Sequence, residues 1–572
     1  MPLRKPLRSV RTITTICLDV ALLNSTRRMN NTIKLRKLAT KPPTLKALPR
    51  PAAGINGING CSQPQPDQMK YTFSELVFSD RRRTLTEQDA REEAEYNADI
   101  EQLKNLQSNR ESIQNSINTR CDTLAITLKY LERSGLTLED VEKLSVIHVA
   151  GTKGKGSTCA LTESILRQYG ARTGFYSSPH LVSTNERIRI NGEPLAKAKF
   201  THFFRLVYDR LLYGREHDRD MPAFFMFLTI VGFHVFIAER VDVVVLEVGI
   251  GGELDCTNIL RNVRTAGITS LSLEHTQVLG NTIKEIAWQK AGIIKPGAHV
   301  YTHVTQPECL QVIRERAAEK HAQLFEVPQA EELFALNQRS DYLNSCNDYV
   351  RLNGCLAIAL AYDWLRQSTG RLHRDYPLNW LQLTDEVLHG INQANWPGRC
   401  QLVNYENMRI HLDGAHTVES IRVCCNWYQK STKSSRNPSI LVFNRTGDTD
   451  TKALLQVLQQ SCRFDMVCFV PNLSSAKAND PNQTSVCYSD EAQRERASLI
   501  AATWQKLCDA NKQVNRGRMY NTVWDAFVEM RTRYPAHIEL DVLITGSIHL
   551  LGAAILMLDD FHSESKATNG ST

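Results

Sequence analysis

Leu144-Ser-Val-Ile-His-Val-Ala-Gly151-Thr-Lys-Gly154-Lys155-Gly156-Ser157-Thr158 decides the reading of this chain. It opens as a short run of β-branched and apolar residues, the pattern of a buried strand. It then breaks into a loop with several glycines and two lysines. After Ser157, the apolar residues Leu161, Ile165, Leu166 and Tyr169 recur at helical spacing, and Gly170 is a stop signal. Strand, Gly-rich loop and helix together make a phosphate cradle. Glycines let backbone N–H groups approach the phosphates, and a helix start presents unpaired donors and a positive dipole end. Lys155 supplies a point charge, and Ser157 or Thr158 a hydroxyl. The spacing departs from the common G-x-x-x-x-G-K-[ST] pattern: Gly156 separates Lys155 from Ser157, and Val149 stands where the first glycine would fall.

Further strands run outward from this stretch, and several end in groups that carry chemistry. Arg172-Thr-Gly-Phe-Tyr leads into Ser177-Ser178-Pro179-His180-Leu181, where Ser177, Ser178 and His180 either contact a ligand or cap a turn. Asn185 to Gly192 reads as an alternating strand closed by an Asn-Gly turn. Val241 to Glu247 is a buried strand with a carboxylate at its carboxyl end, followed by Gly249, Gly251 and Gly252. Open α/β sheets bind ligands beyond those ends, and an acid there, beside a phosphate loop, is placed to hold Mg²⁺. Thr265 to Leu273 repeats the theme and ends in Glu274-His275. Thr282 and Glu285 form a capping box for a helix that carries Lys290.

Upstream, 84–118 is charged and helical in pattern, with Tyr96, Ile100, Leu103 and Leu106 on one stripe. A polar interruption spans 328–347, and Asn395 to Arg399 is a turn taken as a boundary. Beyond it, strands at 408–412, 439–443, 465–470 and 541–545 alternate with helices. The fold class is α/β, with a P-loop-type doubly wound sheet domain followed by a smaller Rossmann-like α/β domain. The expected divisions are a leader over 1–70, a central nucleotide-binding domain over 84–395, a second domain over 396–560 and a disordered tail over 561–572.

The formal charge of +7 is unevenly placed. Residues 1–50 hold twelve Lys/Arg against one acid, Asp19, a surplus of eleven that leaves the rest of the chain at −4. A basic, nearly acid-free leader has the composition of a mitochondrial transit peptide, and the acidic remainder argues against a nucleic-acid surface. Initiation at Met69 would remove the leader and give a cytoplasmic form. Fifteen cysteines with no C-x-x-C pair argue for a reducing compartment rather than a disulfide scaffold or zinc site. The apolar run Ala223 to Ala238 is too short and interrupted to span a membrane, so it reads as a buried helix.

Seven motifs, in order, resemble the folylpolyglutamate synthase family of the Mur-ligase-like superfamily. They are His148 to Ser157, Ser177 to Leu181, Glu186 to Gly192, Glu247 to Gly252, Asp255-Cys-Thr-Asn258, Trp396-Pro-Gly-Arg399 and Asp413-Gly-Ala-His416. The Trp-Pro-Gly-Arg and Asp-Cys-Thr-Asn forms are similar to the eukaryotic branch. The resemblance implies ATP-dependent addition of L-glutamate to the γ-carboxylate of tetrahydrofolate and folylpolyglutamates through an acyl phosphate. That activity retains folates in the cell and supports one-carbon metabolism. It also implies that Gly154, Lys155, Gly156, Ser157, Arg399 and Asp413 bind ATP, that Ser178, Glu247 and His275 ligate Mg²⁺, and that Lys155, Lys290 and His275 serve catalysis. Lys290 matches a lysine carbamylated in some relatives. A monovalent cation is a further cofactor candidate, and the expected state is a monomer.

Four positions depart from the family pattern. Met226 replaces a glutamate of bacterial relatives, Glu274 replaces an aspartate, and Tyr349-Val350 replaces a His-Gln pair. These bear on a second metal and on nucleotide contacts. The rival readings are dihydrofolate synthase activity at the same site, a non-catalytic nucleotide-binding relative and a nucleic-acid-dependent ATPase.

Overall fold

The computed structural model describes residues 86–106, 122–328, 330–336, 348–368, 383–446, 450–475 and 489–569. All of these fall within one compact unit, Met69–Thr572. The expected leader over 1–70 lies outside the described residues, as does most of the 328–347 interruption.

The first sheet has eight strands: β1 (Val146–Ala150), β2 (Thr173–Tyr176), β3 (Ile188–Ile190), β4 (Glu193–Pro194), β5 (Val243–Glu247), β6 (Thr265–Ile268), β7 (His299–Thr302) and β8 (Gln323–Glu326). Their order is β4-β3-β2-β5-β1-β6-β7-β8. Neighbours are parallel from β2 to β8, and β3 and β4 add an antiparallel edge. The chain builds one side through β2 and β5, then crosses β1 to build the other through β6. The carboxyl end of β1 therefore lies at the switch point, where such sheets bind ligands.

Strands β1 and β5 are buried throughout. The two-residue period of a strand sends alternate side chains to opposite faces. Ile147, Val149, Val243 and Val245 enter one core with helices Lys155–Gln168, Asp348–Ser368 and Asp385–Gln393. Val146, Val244 and Leu246 enter the other with helices Glu87–Lys104, Lys197–Tyr213 and Phe224–Ala238. The apolar run does form a buried helix, of 15 residues. Among the described residues no helix is long and apolar enough to cross a membrane.

The second sheet holds β9 (Gln401–Tyr405), β10 (Met408–Asp413), β11 (Ser439–Phe443), β12 (Met466–Phe469), β13 (Gly517–Met519) and β14 (Leu540–Thr545), in the order β13-β12-β11-β14-β10-β9. Only β9, a strand not expected from the pattern, is antiparallel. The turn at Asn395 to Arg399 connects the two sheets in sequence.

Three local expectations change. The Asn185 to Gly192 strand is shorter, because Thr184–Arg187 is a 3₁₀ turn. The Glu186 carboxylate accepts the N–H groups of Leu181, Val182 and Ser183 at 2.9, 3.0 and 2.7 Å, which folds the chain back before the strand begins. The polar interruption contains a helix, Ala330–Leu336. The expected tail from 561 is helical as far as Asn569, since a helix already nucleated at Ile548 extends at little cost.

The sheets meet through Leu181 and Val182, which lie in the hydrophobic core of the second sheet. Gly552, on helix Ile548–Asn569, permits this approach: a Cβ there would fall 2.0 Å from the Leu181 carbonyl oxygen. Thermal unfolding of Gly552→Ala should reveal a loss of about 1–3 kcal/mol, as over-packed sites show. An unchanged midpoint would contradict the close approach.

Candidate active site

The phosphate loop is held at both ends. Thr152 and Lys153 donate their amides to Ser270 O at 2.8 and 3.3 Å, and the Thr152 hydroxyl donates to Ser272 O at 3.2 Å. These bonds tie the loop to the chain leaving β6. At the other end Gly154 caps the helix in the left-handed region, at φ 89°. The first intrahelical bond there runs from Thr158 N–H to Gly154 O. The amides of Lys155, Gly156 and Ser157 therefore have no intrahelical acceptor, and an anion at the helix start can take them. Asn353 braces the turn, accepting the Thr158 hydroxyl at 3.3 Å. The Trp396 ring lies against Gly156 and packs on Phe175, with ring centroids 5.3 Å apart.

Glu247 ends β5 beside this loop and is only 3 % exposed. Its carboxylate accepts the Ser178 amide at 3.1 Å and faces Lys155 Nζ at 4.0 Å. Burial raises the Glu247 pKa, and the charge of Lys155 opposes that rise. His275 stands at the exposed rim in a left-handed conformation, φ 52°. Desolvation lowers its pKa; Glu274 pulls it back up, and the charges of Lys290, Lys155 and Lys153 lower it further.

Among the described residues no three His, Cys, Asp or Glu side chains cluster as a metal site. Of Ser178, Glu247 and His275, the structure brings the first two together, through the Ser178 amide and the Glu247 carboxylate. Glu247 is a buried carboxylate whose charge is costly without a counter-ion, the kind of group a hard cation takes. Mg²⁺ typically takes few protein ligands and completes its shell with water and phosphate oxygens.

Lys290 lies beneath the loop and donates to Gly151 O at 2.7 Å. Burial first, then the charges of Lys155 and Lys153, bring its pKa down to about 7. From the second sheet, Asp413 ends β10 with both oxygens engaged. Oδ2 accepts the Cys400 amide and Oδ1 the Ala415 amide, each at 2.9 Å. Asp413 is 1 % exposed, so it secures the turn that carries Arg399. The charge of Arg399 reaches Glu247, Asp413 and Lys153.

Some motif residues turn out to hold the frame. Asp255 accepts the amides of Ile250 and Thr257 and the Thr257 hydroxyl, fixing the glycine loop after β5. Thr257 in turn meets His148 Nε2 on β1 at 2.9 Å. Arg187 donates to His180 Nδ1 at 2.8 Å, so His180 packs within its own segment. Two residues given no role from sequence, Lys153 and His416, meet across the sheets at 3.0 Å. Lys153 also pairs with Glu274 at 3.0 Å. Burial works against the Glu274 charge, but the His416 contact and the charge of Lys153 outweigh it and hold its pKa well below the usual range.

A phosphate loop, an opposed Lys–Glu pair and an arginine brought in from a second α/β sheet define a nucleotide-dependent ligase of the Mur-ligase-like fold. A scan against protein-family models found no match. The mitochondrial folylpolyglutamate synthase of Cricetulus griseus is 42 % identical over 409 residues, covering 68 % of this chain and 69 % of the relative. E. coli FolC in complex with DHPP and ADP superposes with a TM-score of 0.59 at 24 % identity, over 82 % of this chain and 98 % of FolC. A bifunctional folylpolyglutamate synthase/dihydrofolate synthase with Mn, AMPPNP and L-glutamate bound superposes with a TM-score of 0.54 at 26 % identity, over 77 % and 94 %. The chain belongs to the folylpolyglutamate synthase family, of the eukaryotic type.

The Lys290 shift has a stability consequence. Its folded pKa, about 7, lies below the ordinary lysine value of about 10.4, so between the two the folded chain binds fewer protons than the unfolded one. Lys290 therefore makes stability rise with pH across that window. The unfolding free energy of Lys290→Met should rise less between pH 7 and 10 than that of wild type. Equal slopes would refute the depressed value.

Proposed function

We propose that this chain adds L-glutamate to the γ-carboxylate of tetrahydrofolate and folylpolyglutamates at the expense of ATP. The observation that carries this reading is the open helix start beneath the Lys155–Glu247 pair, in a chain so similar to folylpolyglutamate synthases. ATP phosphates would lie on the amides of Lys155, Gly156 and Ser157 and against the Lys155 ammonium. Gly154 shapes that seat. Arg399, secured by Asp413, brings positive charge from the second sheet.

The folate carboxylate attacks the γ-phosphorus, ADP leaves, and an acyl phosphate forms. Lys155 and Arg399 stabilise the charge spread over the transferred phosphoryl group. The glutamate amine then attacks the acyl carbon, inorganic phosphate departs, and the amine gives up a proton. No side-chain nucleophile is required. Mg²⁺, held by Ser178, Glu247 and His275, would supply further neutralisation of phosphate charge. Lys290 is partly neutral near pH 7, the form that accepts carbon dioxide as a carbamate.

The basic first fifty residues and the mitochondrial designation of the relative support a mitochondrial address, with initiation at Met69 giving a cytoplasmic form. The central and second domains divide at Trp396.

ADP release measured with tetrahydrofolate and L-glutamate, each omitted in turn, tests the activity. Release should need both. Dihydropteroate in place of the folate separates the dihydrofolate synthase alternative. Lys155→Ala should lower turnover by a factor of about 10² to 10³ or more while remaining folded, as removal of a charge-stabilising group does. Near-normal turnover in that variant would sink the assignment.

A further inference from the structure

Two cysteines with no part in the site above face each other in the helical layer of the second sheet. Cys425 lies on helix Val418–Thr432, and Cys462 follows helix Thr451–Ser461 directly. Cys425 belongs to an apolar cluster with Leu454, Leu458 and Phe464, and Cys462 packs against that cluster. Gln429 stands one turn beyond Cys425 on the same helix face, and its side-chain amide donates to the Ser461 carbonyl, next to Cys462. The Cys425 and Cys462 thiols are themselves hydrogen-bonded. That contact holds the Cys425 thiol below its usual pKa, against the effect of burial.

Neighbouring thiols are directed elsewhere. Successive helix residues point about 100° apart, and Cys424 Sγ lies 3.7 Å from Thr545 Oγ on β14. Cys400 meets Asp413, and Cys508 meets Gln459. The described cysteines are free thiols, so the 425–462 pair is in its reduced form. Cys425 is fully buried, but Cys462 lines a cavity of 160 Å³ together with Tyr428, Ser439, Ser461 and Asp541. Ser439 begins β11 and Asp541 lies near the start of β14, so the cavity sits at the amino ends of these strands. It has room for several waters, and so for an oxidant as small as hydrogen peroxide.

We propose that Cys425 and Cys462 are a reversible disulfide site, closed by hydrogen peroxide, whose bond clamps helix Val418–Thr432 to the end of helix Thr451–Ser461. One thiol takes an oxygen atom from peroxide, giving a sulfenic acid and one water. The other thiol attacks that sulfur, the S–S bond forms, and the oxygen leaves as a second water. Two thiols thus lose two electrons and two protons, and peroxide is reduced to two waters. Cys462 sits past the last helical turn in extended backbone, φ −127° and ψ 146°, so its sulfur can close on Cys425 without unwinding either helix. A cross-link here removes freedom from the unfolded chain and so favours the folded one.

The test uses the full chain, purified in reductant, treated with a small excess of hydrogen peroxide and digested with trypsin without reduction. Cleavage after Arg422, Lys430, Lys452 and Arg463 places the two cysteines on peptides 423–430 and 453–463. The expected product is these two peptides joined, lighter than their sum by two hydrogens and separated by dithiothreitol. Peptide 423–430 also carries Cys424, so Cys424→Ser should still form the link, whereas Cys425→Ser and Cys462→Ser should not. Cys462 is only partly buried, which makes Cys462→Ser the variant that keeps the fold. Oxidised wild type should melt about 4 °C or more above the reduced chain, and Cys462→Ser should show no peroxide-dependent gain.

Oxidised wild type without the joined peptides would overturn the proposal. So would the same link in Cys425→Ser, which would assign it to Cys424. A link that left the midpoint unchanged, or an equal gain in Cys462→Ser, would overturn the clamp.

Discussion

The site depends on one backbone constraint. Gly154 turns the chain through the left-handed region at φ 89°, so the helix begins at Lys155 with its free amides facing the carboxyl end of the sheet. A side chain there would be strained, and its Cβ would fall 2.2 Å from Asn353 Oδ1. The turn cannot drift, because Thr152 and Lys153 are tied to Ser270 before it and the Thr158 hydroxyl meets Asn353 after it. A preorganised set of donors costs no rearrangement when a charged group arrives, which is where most electrostatic catalysis originates. The rest of the first sheet keeps that turn beside Glu247 and Lys290.

Among the described residues, the second sheet meets this frame through contacts of unlike kinds. Leu181 and Val182 are buried in its core, and Glu186 shapes their loop by accepting three successive amides. Lys153, Glu274 and His416 form a directional, partly exposed contact.

What was legible in the sequence follows from range. The strand, loop and helix around Gly154 are contiguous, so composition and period were enough to read them. Strands β1 and β5 were legible because both faces are covered, which leaves an unbroken apolar run. The Thr282–Glu285 capping box is local and forms as read. Strand β9 was missed because its edge position leaves Leu402 and Asn404 exposed and weakens the apolar pattern. The Lys153–His416 pair was invisible for a different reason: 263 residues separate the two, and no local pattern records a contact made only when two sheets meet. Asp255 and Glu186 lie in ligand-like motifs, yet their oxygens are taken by the backbone. A motif marks a site without saying which of its members touch the ligand and which hold the loop.

Electrostatics gives the last step. Lys153, Lys155 and Lys290 crowd one loop and work against one another: Lys155 depresses both neighbours, and Arg399 adds to the pressure on Lys153. Two carboxylates, Glu247 and Glu274, offset only part of this, and Glu247 is itself penalised by burial. Such a cluster is costly to fold, and a sequence selected for stability alone would dissolve it. It favours an anion with several charges over one with a single charge, because each ammonium finds its own oxygen. Lys153 stands apart within the group. Glu274 and His416 already hold its ammonium, whereas the amides at the helix start have no intrahelical acceptor. The division of labour between two lysines two residues apart is set by the left-handed turn at Gly154 that lies between them.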